Sequence, residues 1–421
     1  MNVIIRPKPL KGSVVIPPSK SQSHRAIIAA SLSRGKSVIS NIAYSEDVLA
    51  TIGAMEKLGA KFTKSEHELV VTGIKKISVS DDNFVECNES GSTLRFIIPI
   101  FALAKEKVVF TGKRSLFKRP MSVYEDLFDQ NRMSFQKNDE SIIISGGLTN
   151  GTFRVPGNIS SQFISGLLFA LPLTKGDSTI IIEGNLESKQ YIDMTIDTLR
   201  EFQVRIIETN EGYLIPGNQT YHSNNITVEG DYSQLAFFAV LGSISDDIYC
   251  KNIPFNSKQP DKAILDYVSQ MGGKFEYTKN GINFYRSETN GIDIDVSQCP
   301  DIAPILGILG ALSSGTTRII NASRLKMKES NRLLSTYETL VKLGVNVTMG
   351  EDYLVIEGKD TLEGGVFDSY QDHRIVMSVA VAASRASSNV YIRHAEAINK
   401  SYPDFFKDLE KLGAEITYVE E

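Results

Sequence analysis

The sequence has no tryptophan, only three cysteines and no long apolar run. Cys87, Cys250 and Cys299 are odd in number and far apart, so we expect reduced core thiols and neither disulfides nor a metal site. No stretch approaches the ~20 apolar residues that cross a bilayer, and residues 1–6 resemble a strand rather than a signal peptide. We therefore expect a cytoplasmic protein without a membrane partner.

Positive charge is also scarce, because 45 lysines and arginines face 50 aspartates and glutamates, for a net charge of -5. This balance disfavours a general nucleic-acid surface, so any cationic cluster must be local and suited to a small anion. The chain has 421 residues, which is too long for one ordinary core. Two domains are therefore the default expectation.

A repeat of about 70 residues runs through the chain. In each copy a helix ends in an apolar residue, a glycine or polar residue follows, and a strand begins. The equivalent positions are Gly59, Arg132, Gln203, Gly272, Gly344 and Gly413. Six copies of one helix-and-strand unit divide most simply into two domains of three.

Each copy also contains an earlier helix that is apolar on most faces and begins with polar residues. These helices are expected to start at Ser21, Gly91, Ser160, Gly230, Pro300 and Gln371. Such helices must be buried, and their positive N-terminal ends would make a shared cleft electropositive. The sequence thus predicts an α/β (α+β) protein with two domains, each of three repeated units around buried parallel helices.

The last copy ends one strand short of its hairpin, while a strand-like run at residues 3–6 precedes the first copy. We expect the N-terminal strand to complete the last copy. One domain would then contain residues 1–18 and 230–421, and the other would be an insertion of residues 19–229.

A candidate anion site begins at Ser19, which follows two prolines and precedes an apolar run. If Ser19 or Ser21 caps a helix, then Lys20, Ser21 and Arg25 lie within its first turns, where backbone N–H groups favour a phosphate or carboxylate. Taken alone, the stretch fits a capped helix with solvated basic residues equally well.

Four further polar stretches follow: residues 118–120, 326–332, 372–374 and 399–404. In the second, Lys328 and Arg332 are predicted to be neighbours one turn apart on a helix, beside Glu329. Each stretch alone reads as a cap or an ion pair, but all recur near one place in the repeated unit.

Together these stretches resemble the ordered motifs of the enolpyruvylshikimate phosphate synthase family from about residue 5 to the C-terminus. The motifs are Ser19-Lys20-Ser21 with Arg25, Gly91-Ser92 with Arg95, Lys118-Arg119-Pro120, Ser160-Ser161-Gln162, Lys328-Glu329-Ser330-Asn331-Arg332, Asp372-His373-Arg374 and Lys400-Ser401-Tyr402-Pro403-Asp404. The resemblance implies two domains of βαβαββ units with the active site in the interdomain cleft. It also implies a monomer that transfers the enolpyruvyl group of phosphoenolpyruvate to the 5-hydroxyl of shikimate 3-phosphate without a cofactor, on the route to chorismate and aromatic amino acids.

The resemblance also assigns residues to the two small-molecule substrates. Shikimate 3-phosphate would contact Lys20, Ser21, Arg25, Ser160, Ser161, Gln162, Ser188, Asp301 and Lys328, with Tyr191 nearby. Phosphoenolpyruvate would contact Lys20, Gly91, Arg119, Gln162, Arg332, Arg374 and Lys400. Since each substrate carries a phosphate and a carboxylate, forked guanidinium groups suit them.

By the same resemblance, Asp301 would be the base for the hydroxyl, Glu329 the acid for C3, and Lys20 an aid to proton transfer and phosphate departure. The cations Lys328 and Arg332 should lower the pKa of Glu329, whereas a general acid needs a higher pKa. We therefore expect Glu329 to become a good acid only when bound phosphates offset those cations.

Several positions depart from the family pattern: Glu89 and Asn331 replace an asparagine and an aspartate, Arg324 stands where an asparagine is common, and Phe96 is an unusual neighbour. These residues bear on affinity more than on the reaction. Gly91 is retained, so the resemblance implies sensitivity to glyphosate.

Two alternative functions stay open. A related enolpyruvyl transferase acts on a UDP-linked N-acetylglucosamine, but it typically carries a reactive loop cysteine, which none of the three cysteines resembles. A non-enzymatic ring of repeats around nucleic acid would need basic helix faces, whereas these helices are apolar and the chain is acidic.

Overall fold

The computed structural model describes residues 1–79 and 82–420. The chain forms two compact units, which we name the terminal unit, residues 1–17 with 229–421, and the inserted unit, residues 18–228. Each unit has its own apolar core. Within the described residues, no helix has the length and apolar character needed to cross a membrane.

The terminal unit begins with strands β1 (Asn2–Arg6) and β2 (Gly12–Val15). The inserted unit contains strands β3 (Lys36–Ser40), β4 (Lys61–Lys64), β5 (Glu68–Thr72), β6 (Phe84–Glu86), β7 (Val108–Thr111), β8 (Ser134–Lys137), β9 (Ser141–Ser145), β10 (Thr152–Pro156), β11 (Ser178–Glu183), β12 (Ile207–Thr209), β13 (Gly212–Ile215) and β14 (Ile226–Thr227). Its helices are α1 (Lys20–Leu32), α2 (Glu46–Lys57), α3 (Gly91–Phe101), α4 (Arg114–Phe117), α5 (Ser122–Gln130), α6 (Ser161–Ala170) and α7 (Lys189–Glu201).

The terminal unit continues with strands β15 (Ile248–Lys251), β16 (Lys274–Thr278), β17 (Gly281–Tyr285), β18 (Asp293–Asp295), β19 (Thr316–Ile320), β20 (Asn346–Met349), β21 (Leu354–Glu357), β22 (Gly365–Asp368), β23 (Val390–Arg393) and β24 (Glu415–Val419). Its helices are α8 (Tyr232–Ile244), α9 (Ala263–Gln270), α10 (Ala303–Ala311), α11 (Arg332–Lys342), α12 (His373–Ala382) and α13 (Phe405–Lys411). Short 3₁₀ helices occur at Leu171–Leu173, Pro260–Lys262, Pro300–Ile302, Ser323–Met327, Ala383–Arg385 and Ala395–Lys400.

The described strands form six four-stranded sheets with one shared topology. In each sheet a leading strand runs parallel to a central strand, the central strand pairs antiparallel with a third strand, and the third strand pairs antiparallel with a fourth. In five of the described sheets the third and fourth strands form a hairpin. In one example β10 pairs with β11, β11 with β13, and β13 with β12. The repeat seen in the sequence is therefore a repeat of sheets, with three in each unit.

Three sheets are completed by strands from a distant part of the chain. β1 lies between β23 and β24 in the last sheet, which confirms the predicted role of the N-terminal strand. β2 is the leading strand beside β15, and β14 is the leading strand beside β3. The sequence pattern missed these two roles because strands of two to four residues give almost no alternation to detect.

The six equivalent positions of the repeat share one backbone conformation. Gly59, Gly272, Gly344 and Gly413 have φ between 73° and 100°, and the non-glycine residues Arg132 and Gln203 have φ of 55° and 61°. Each residue follows a helix, where a left-handed residue closes the last turn. A non-glycine residue adopts this conformation at a cost of about 1–2 kcal/mol, so its use at two positions shows how strictly the unit is repeated.

Six buried helices lie beside the sheets, and their starts match the predicted polar residues. The caps that accept a hydrogen bond from the helix backbone are Ser19 for α1, Ser90 for α3, Ser160 for α6, Asp231 for α8 and Asp372 for α12. The remaining helix, α10, follows the 3₁₀ turn Pro300–Ile302. These N-terminal ends carry most of the candidate site residues.

Candidate functional site

Most of the candidate residues fall into two sets, one in each unit. We name the first the terminal cluster, which contains Asp301, Lys328, Glu329, Arg332, Asp372 and Arg374. We name the second the inserted cluster, which contains Lys20, Ser21, Arg25, Gly91, Arg119, Ser160, Ser161, Gln162 and Ser188. Both clusters lie at or beside the N-terminal ends of buried helices, where backbone N–H groups favour anions.

Arg332 is the centre of the terminal cluster and is only 1% exposed. Its Nε lies 2.8 Å from Asp372 Oδ2, its Nη1 lies 2.9 Å from Asp301 Oδ1, and its Nη2 donates to Glu329 Oε2. Burial alone would lower the pKa of Arg332, but these three carboxylates raise it above its ordinary value. Arg332 is therefore charged at any physiological pH.

Three cations contact the carboxylate of Asp301. Arg332 and Lys328 approach its Oδ1, the latter at 3.0 Å from Nζ, and Arg374 Nη2 lies 3.4 Å from Oδ2. Burial would raise the pKa of Asp301, but the charges of Lys328 and the two arginines hold it well below its usual range. Asp301 is thus an ionised hydrogen-bond acceptor whose basicity these cations suppress.

Asp372 connects Arg332 to helix α12. Its Oδ1 caps the helix by accepting the backbone N–H of Arg374 at 2.9 Å. Burial would raise the pKa of Asp372, but Arg332 outweighs it and the pKa falls to about 2. The guanidinium of Arg374 also donates to Ser233 Oγ at 3.1 Å, a contact between α12 and α8 that the sequence analysis missed.

The predicted helical pairing of Lys328 with Arg332 is wrong. Lys328 has an extended backbone after the 3₁₀ helix Ser323–Met327, and α11 begins only at Arg332, with Asn331 as its cap. Lys328 and Glu329 therefore lie in a short link, which is why both can turn toward the centre of the cluster. Asn331 acts here as a helix cap, since it accepts the N–H of Leu334 at 3.3 Å.

Two further buried cations lie in the terminal unit. Lys400 ends the 3₁₀ helix Ala395–Lys400, and its Nζ donates to the carbonyl of Gln371, next to the start of α12. Arg324 is 7% exposed, and its Nη1 lies 3.5 Å from the carbonyl of Ser297. Burial and then the charge of Arg324 lower the pKa of Lys328, while Asp301 opposes this shift.

In the inserted cluster, Lys20 is the first residue of α1 and pairs with an acid on α2. Its Nζ lies 2.7 Å from Asp47 Oδ2, and both side chains are largely buried. The sequence analysis did not include Asp47 among the site residues. The available signal was Glu46-Asp47 at a predicted helix start, but acidic residues are common there and nothing linked that helix to Lys20.

Arg25 is 2% exposed and is held by neutral oxygens. Nη1 donates to the hydroxyl and the carbonyl of Ser21 at 2.8 Å, Nε to Thr195 Oγ1 at 2.8 Å, and Nη2 to the carbonyl of Tyr191 at 2.8 Å. The guanidinium also lies 5.0 Å from the centre of the Phe96 ring. Burial lowers the pKa of Arg25 to about 10, so the group is charged at neutral pH.

Gln162 joins helices α6 and α3. Its Nε2 donates to Ser92 Oγ at 2.9 Å, and its Oε1 accepts from Arg95 Nη1 at 2.8 Å. Ser160 caps α6 with a 3.3 Å hydrogen bond to the N–H of Gln162. Next to them, Ser161 is buried at the helix start. Ser188 is likewise buried and has φ of 55° just before α7.

Gly91 leaves space for Arg119. A Cβ at position 91 would lie 2.5 Å from Arg119 Nη1, so any larger residue would displace the guanidinium. Glu89 precedes α3 and is 5% exposed; its Oε1 accepts from Ser115 Oγ at 2.6 Å, and Lys113 Nζ lies 3.6 Å from its Oε2. The extra negative charge at position 89 is therefore partly compensated by residues of its own unit.

The described contacts thus bring Asp301, Lys328, Glu329, Arg332 and Arg374 into one network. The predicted residues of the inserted unit form four smaller groups: Lys20 with Asp47, Ser21 with Arg25, Ser160 with Gln162, and Gly91 with Arg119. Ser161 and Ser188 are buried at the starts of α6 and α7. Lys400 donates to the carbonyl of Gln371 beside the start of α12.

The chain is similar to known proteins over nearly its whole length. A family model described as EPSP synthase (3-phosphoshikimate 1-carboxyvinyltransferase) matches residues 4–409. Relatives named 3-phosphoshikimate 1-carboxyvinyltransferase include one from Clostridium novyi (strain NT), 45% identical over 98% of this chain and 97% of its own length. Another, from Clostridium perfringens (strain 13 / Type A), is 46% identical over 98% of both chains.

Solved structures agree in fold. An EPSP synthase from Acinetobacter baumannii superimposes with a TM-score of 0.83 at 25% identity and covers 99% of this chain and 100% of that chain. The enolpyruvyl transferase NikO from Streptomyces tendae superimposes with a TM-score of 0.80 over 99% of this chain and 98% of its own. Its identity to this chain is 16%, so this second match concerns the fold alone.

Proposed function

The chain belongs to the EPSP synthase (3-phosphoshikimate 1-carboxyvinyltransferase) family, and from this premise we propose how its two clusters share the reaction. The activity is the transfer of the enolpyruvyl group of phosphoenolpyruvate to the 5-hydroxyl of shikimate 3-phosphate, with release of phosphate, in the shikimate pathway to aromatic amino acids. The observation that carries the proposed division is the cluster of acids and cations around Arg332.

The inserted cluster binds shikimate 3-phosphate through Ser21, Arg25, Ser160, Ser161 and Gln162, with Ser188 beside them. Arg25 supports this role because it carries a full charge at neutral pH and its described contacts are neutral oxygens. A phosphate arriving there meets a positive charge that is not already neutralised by a carboxylate.

Phosphoenolpyruvate binds to arginines and lysines from both clusters. Arg119, Lys20 and Gln162 serve it in the inserted unit, and Arg332, Arg374 and Lys400 serve it in the terminal unit. Its carboxylate and phosphate suit the forked N–H groups of the arginines. Gly91 supports this assignment because its missing side chain leaves Arg119 Nη1 where it is.

Two carboxylates carry the proton transfers. The 5-hydroxyl oxygen attacks C2 of phosphoenolpyruvate while its proton passes to Asp301, and C3 takes a proton from Glu329, which gives a tetrahedral adduct. The adduct then returns the C3 proton to Glu329 as the C2–O bond to phosphate breaks. Lys20 donates to the departing phosphate and offsets its growing charge.

The proposed substrates also adjust the two acids. In the ligand-free cluster, cations suppress the basicity of Asp301, and Arg332 donates to Glu329. Bound phosphates and carboxylates would compete for Lys328, Arg332 and Arg374 and would weaken that effect. Asp301 would then become a better base, and Glu329 a better acid, only in the complex with both substrates.

The test is phosphate release by the purified chain with phosphoenolpyruvate and either shikimate 3-phosphate or UDP-N-acetylglucosamine, with a chelator present. We expect release with shikimate 3-phosphate only, and its loss in Lys20→Ala and Glu329→Gln. Release with the UDP sugar, or full activity in both variants, would overturn the assignment of substrate or residues.

We further propose that the protein works as a monomer in the cytoplasm. The support is that one chain contains both clusters, and these two clusters supply residues proposed to bind each of the two substrates. Sedimentation at assay concentration should give the mass of one chain, 46.5 kDa, whereas a dimer whose dissociation abolishes activity would contradict the proposal.

A further inference from the structure

A buried polar chain lies one helical turn below Lys20. His24 Nδ1 lies 2.7 Å from Thr51 Oγ1, Thr51 Oγ1 lies 2.6 Å from Thr93 Oγ1, and Thr93 Oγ1 donates to Ser90 Oγ at 2.7 Å. All four residues are 0% exposed. These hydrogen bonds lead from α1 to α2 and on to the start of α3, so they join three helices of the inserted unit.

This row of hydrogen-bonded side chains runs parallel to the Lys20–Asp47 ion pair. Lys20 and His24 are four residues apart on α1, and their partners Asp47 and Thr51 are four residues apart on α2. Residues four apart lie on one face of a helix. The two helices are therefore joined by two side-chain contacts: the Lys20–Asp47 ion pair and the His24–Thr51 hydrogen bond.

The backbone of Asp47 also belongs to this arrangement. Its carbonyl oxygen lies 3.5 Å from Thr51 Oγ1 and 3.4 Å from Thr93 Oγ1. The hydroxyls thus surround the first turn of α2, from which the carboxylate of Asp47 extends to Lys20. A shift of the His24–Thr51 contact would therefore move Asp47, the acid that holds Lys20 in place.

The hydrogen bonds also set the protonation of His24. Because Thr93 gives its one hydroxyl proton to Ser90, the short contact between Thr51 and Thr93 requires Thr51 to donate. Thr51 then has no proton left for His24, so His24 must donate from Nδ1. This leaves a lone pair on Nε2, for which no described residue provides a hydrogen bond, and a bare lone pair costs less than a buried N–H would.

Two further observations agree with a neutral ring. Burial, and then the charges of Lys20 and Arg25, hold the pKa of His24 well below its usual range. The ring also packs edge to face against Phe96, with ring centres 6.5 Å apart, so its surroundings are dry, and a dry site disfavours an unpaired charge.

We propose that His24, fixed as the neutral Nδ1–H tautomer, is a positioning residue that sets the register of α1 on α2 and thereby places Lys20 for catalysis. The inference rests on the proposed role of Lys20. The tautomer of His24, however, can be measured without any assay of activity. A wrong tautomer can therefore be distinguished from a wrong role of Lys20.

The first experiment is nitrogen NMR of the full chain labelled at its five histidines, with His24 assigned by the signal lost in His24→Asn. The inference predicts a protonated Nδ1 and a bare Nε2, with shifts that do not change between pH 5 and 8. A protonated Nε2, or a titration in this range, would overturn the assigned tautomer.

The second experiment is a double-mutant cycle on kcat/KM with Lys20→Ala. His24→Leu should lower kcat/KM about tenfold, as expected for one lost buried hydrogen bond, while His24→Asn should restore most of it because its amide can donate to Thr51. If His24 acts through Lys20, adding His24→Leu to Lys20→Ala should cause little further loss. Independent, multiplying losses would overturn the positioning role.

Thr51→Val covers the case in which His24→Leu does not fold, because it removes one hydroxyl and keeps the side-chain size. It should give the same loss and the same non-additivity with Lys20→Ala. The matched controls are the exposed residues His67 and Thr63, for which His67→Leu and Thr63→Val should leave kcat/KM within twofold of the unmodified chain. Full activity in Thr51→Val would contradict the proposal.

Discussion

The two clusters hold buried arginines in opposite ways. Arg332 is surrounded by three carboxylates, and its pKa is raised. Arg25 is held by hydroxyl and carbonyl oxygens, and its pKa is lowered to about 10 by burial. The terminal cluster is therefore nearly neutral inside and rich in carboxylates, whereas Arg25 in the inserted cluster keeps its positive charge available for an anion.

This difference separates two tasks that the proposed reaction requires. Proton transfer needs carboxylates whose pKa values can respond to a ligand, and binding of a phosphate needs cations that are not already neutralised. The same repeated unit supports both tasks, because either an acidic or a basic side chain can lie at the N-terminal end of its buried helix.

The largest effect is expected from deleting the two arginines in parallel. Arg332→Leu leaves three carboxylates, of which Asp372 is fully buried, without this cation and should lower the free energy of unfolding by about 3–5 kcal/mol. Arg25→Leu leaves neutral oxygens and should cost about 1–3 kcal/mol. Urea denaturation measures both, with Arg318→Leu, from an exposed pair, as a control near zero. Equal losses at the two sites would remove the contrast.

A smaller effect is expected from Asp372→Asn, and it should depend on pH. The pKa of Asp372 falls to about 2 on folding from an ordinary value of 3.8, so its charge stabilises the fold above about pH 4 and this gain is lost as the pH falls through 2. The variant should be about 2 kcal/mol less stable at pH 7 and should approach the unmodified chain near pH 2. A difference that is the same at both pH values would show that charge is not its cause.

Gly91→Ala should affect the inserted cluster alone. The added Cβ would move Arg119, and we expect the KM for phosphoenolpyruvate to rise about tenfold, as for one lost hydrogen bond to a charged group. The matched control is Gly53→Ala, because a Cβ at position 53 meets nothing within 4 Å. If both variants bind phosphoenolpyruvate equally well, Arg119 does not depend on the space at Gly91.

The smallest effect concerns Glu89. Lys113→Gln removes an exposed cation near Glu89 Oε2, and we expect the KM for phosphoenolpyruvate to rise about twofold because surface pairs contribute little. High salt should reduce the difference. A tenfold change would show that the Lys113–Glu89 pair affects binding of phosphoenolpyruvate far more than an exposed pair should.

Much of the fold could be predicted from the sequence because the repeat leaves local signals. Polar residues before an apolar run predicted the start of each buried helix, and the repeat located the position after each surface helix. The structure shows that this position is left-handed, even at Arg132 and Gln203. The short strands β2 and β14 could not be predicted, because their pairing depends on residues more than 180 positions away.

The site was predictable where a motif is contiguous and less so where a contact joins distant elements. Lys20, Arg25 and Arg374 stand in recognisable stretches, while Asp47, Thr195 and Ser233 reach them only through the packing of separate helices. The helical pairing of Lys328 with Arg332 failed for a local reason. Asn331 caps α11, so the helix begins too late to include Lys328.

The most direct test of the division of tasks is the exchange of solvent deuterium into C3 of phosphoenolpyruvate, measured by NMR with shikimate 3-phosphate present. Exchange requires C3 to be protonated and the adduct to revert. We predict that Glu329→Gln binds shikimate 3-phosphate normally but loses exchange, whereas Arg25→Gln binds it weakly and recovers exchange at high concentration. Undiminished exchange in Glu329→Gln would contradict the assignment of proton transfer to the terminal cluster.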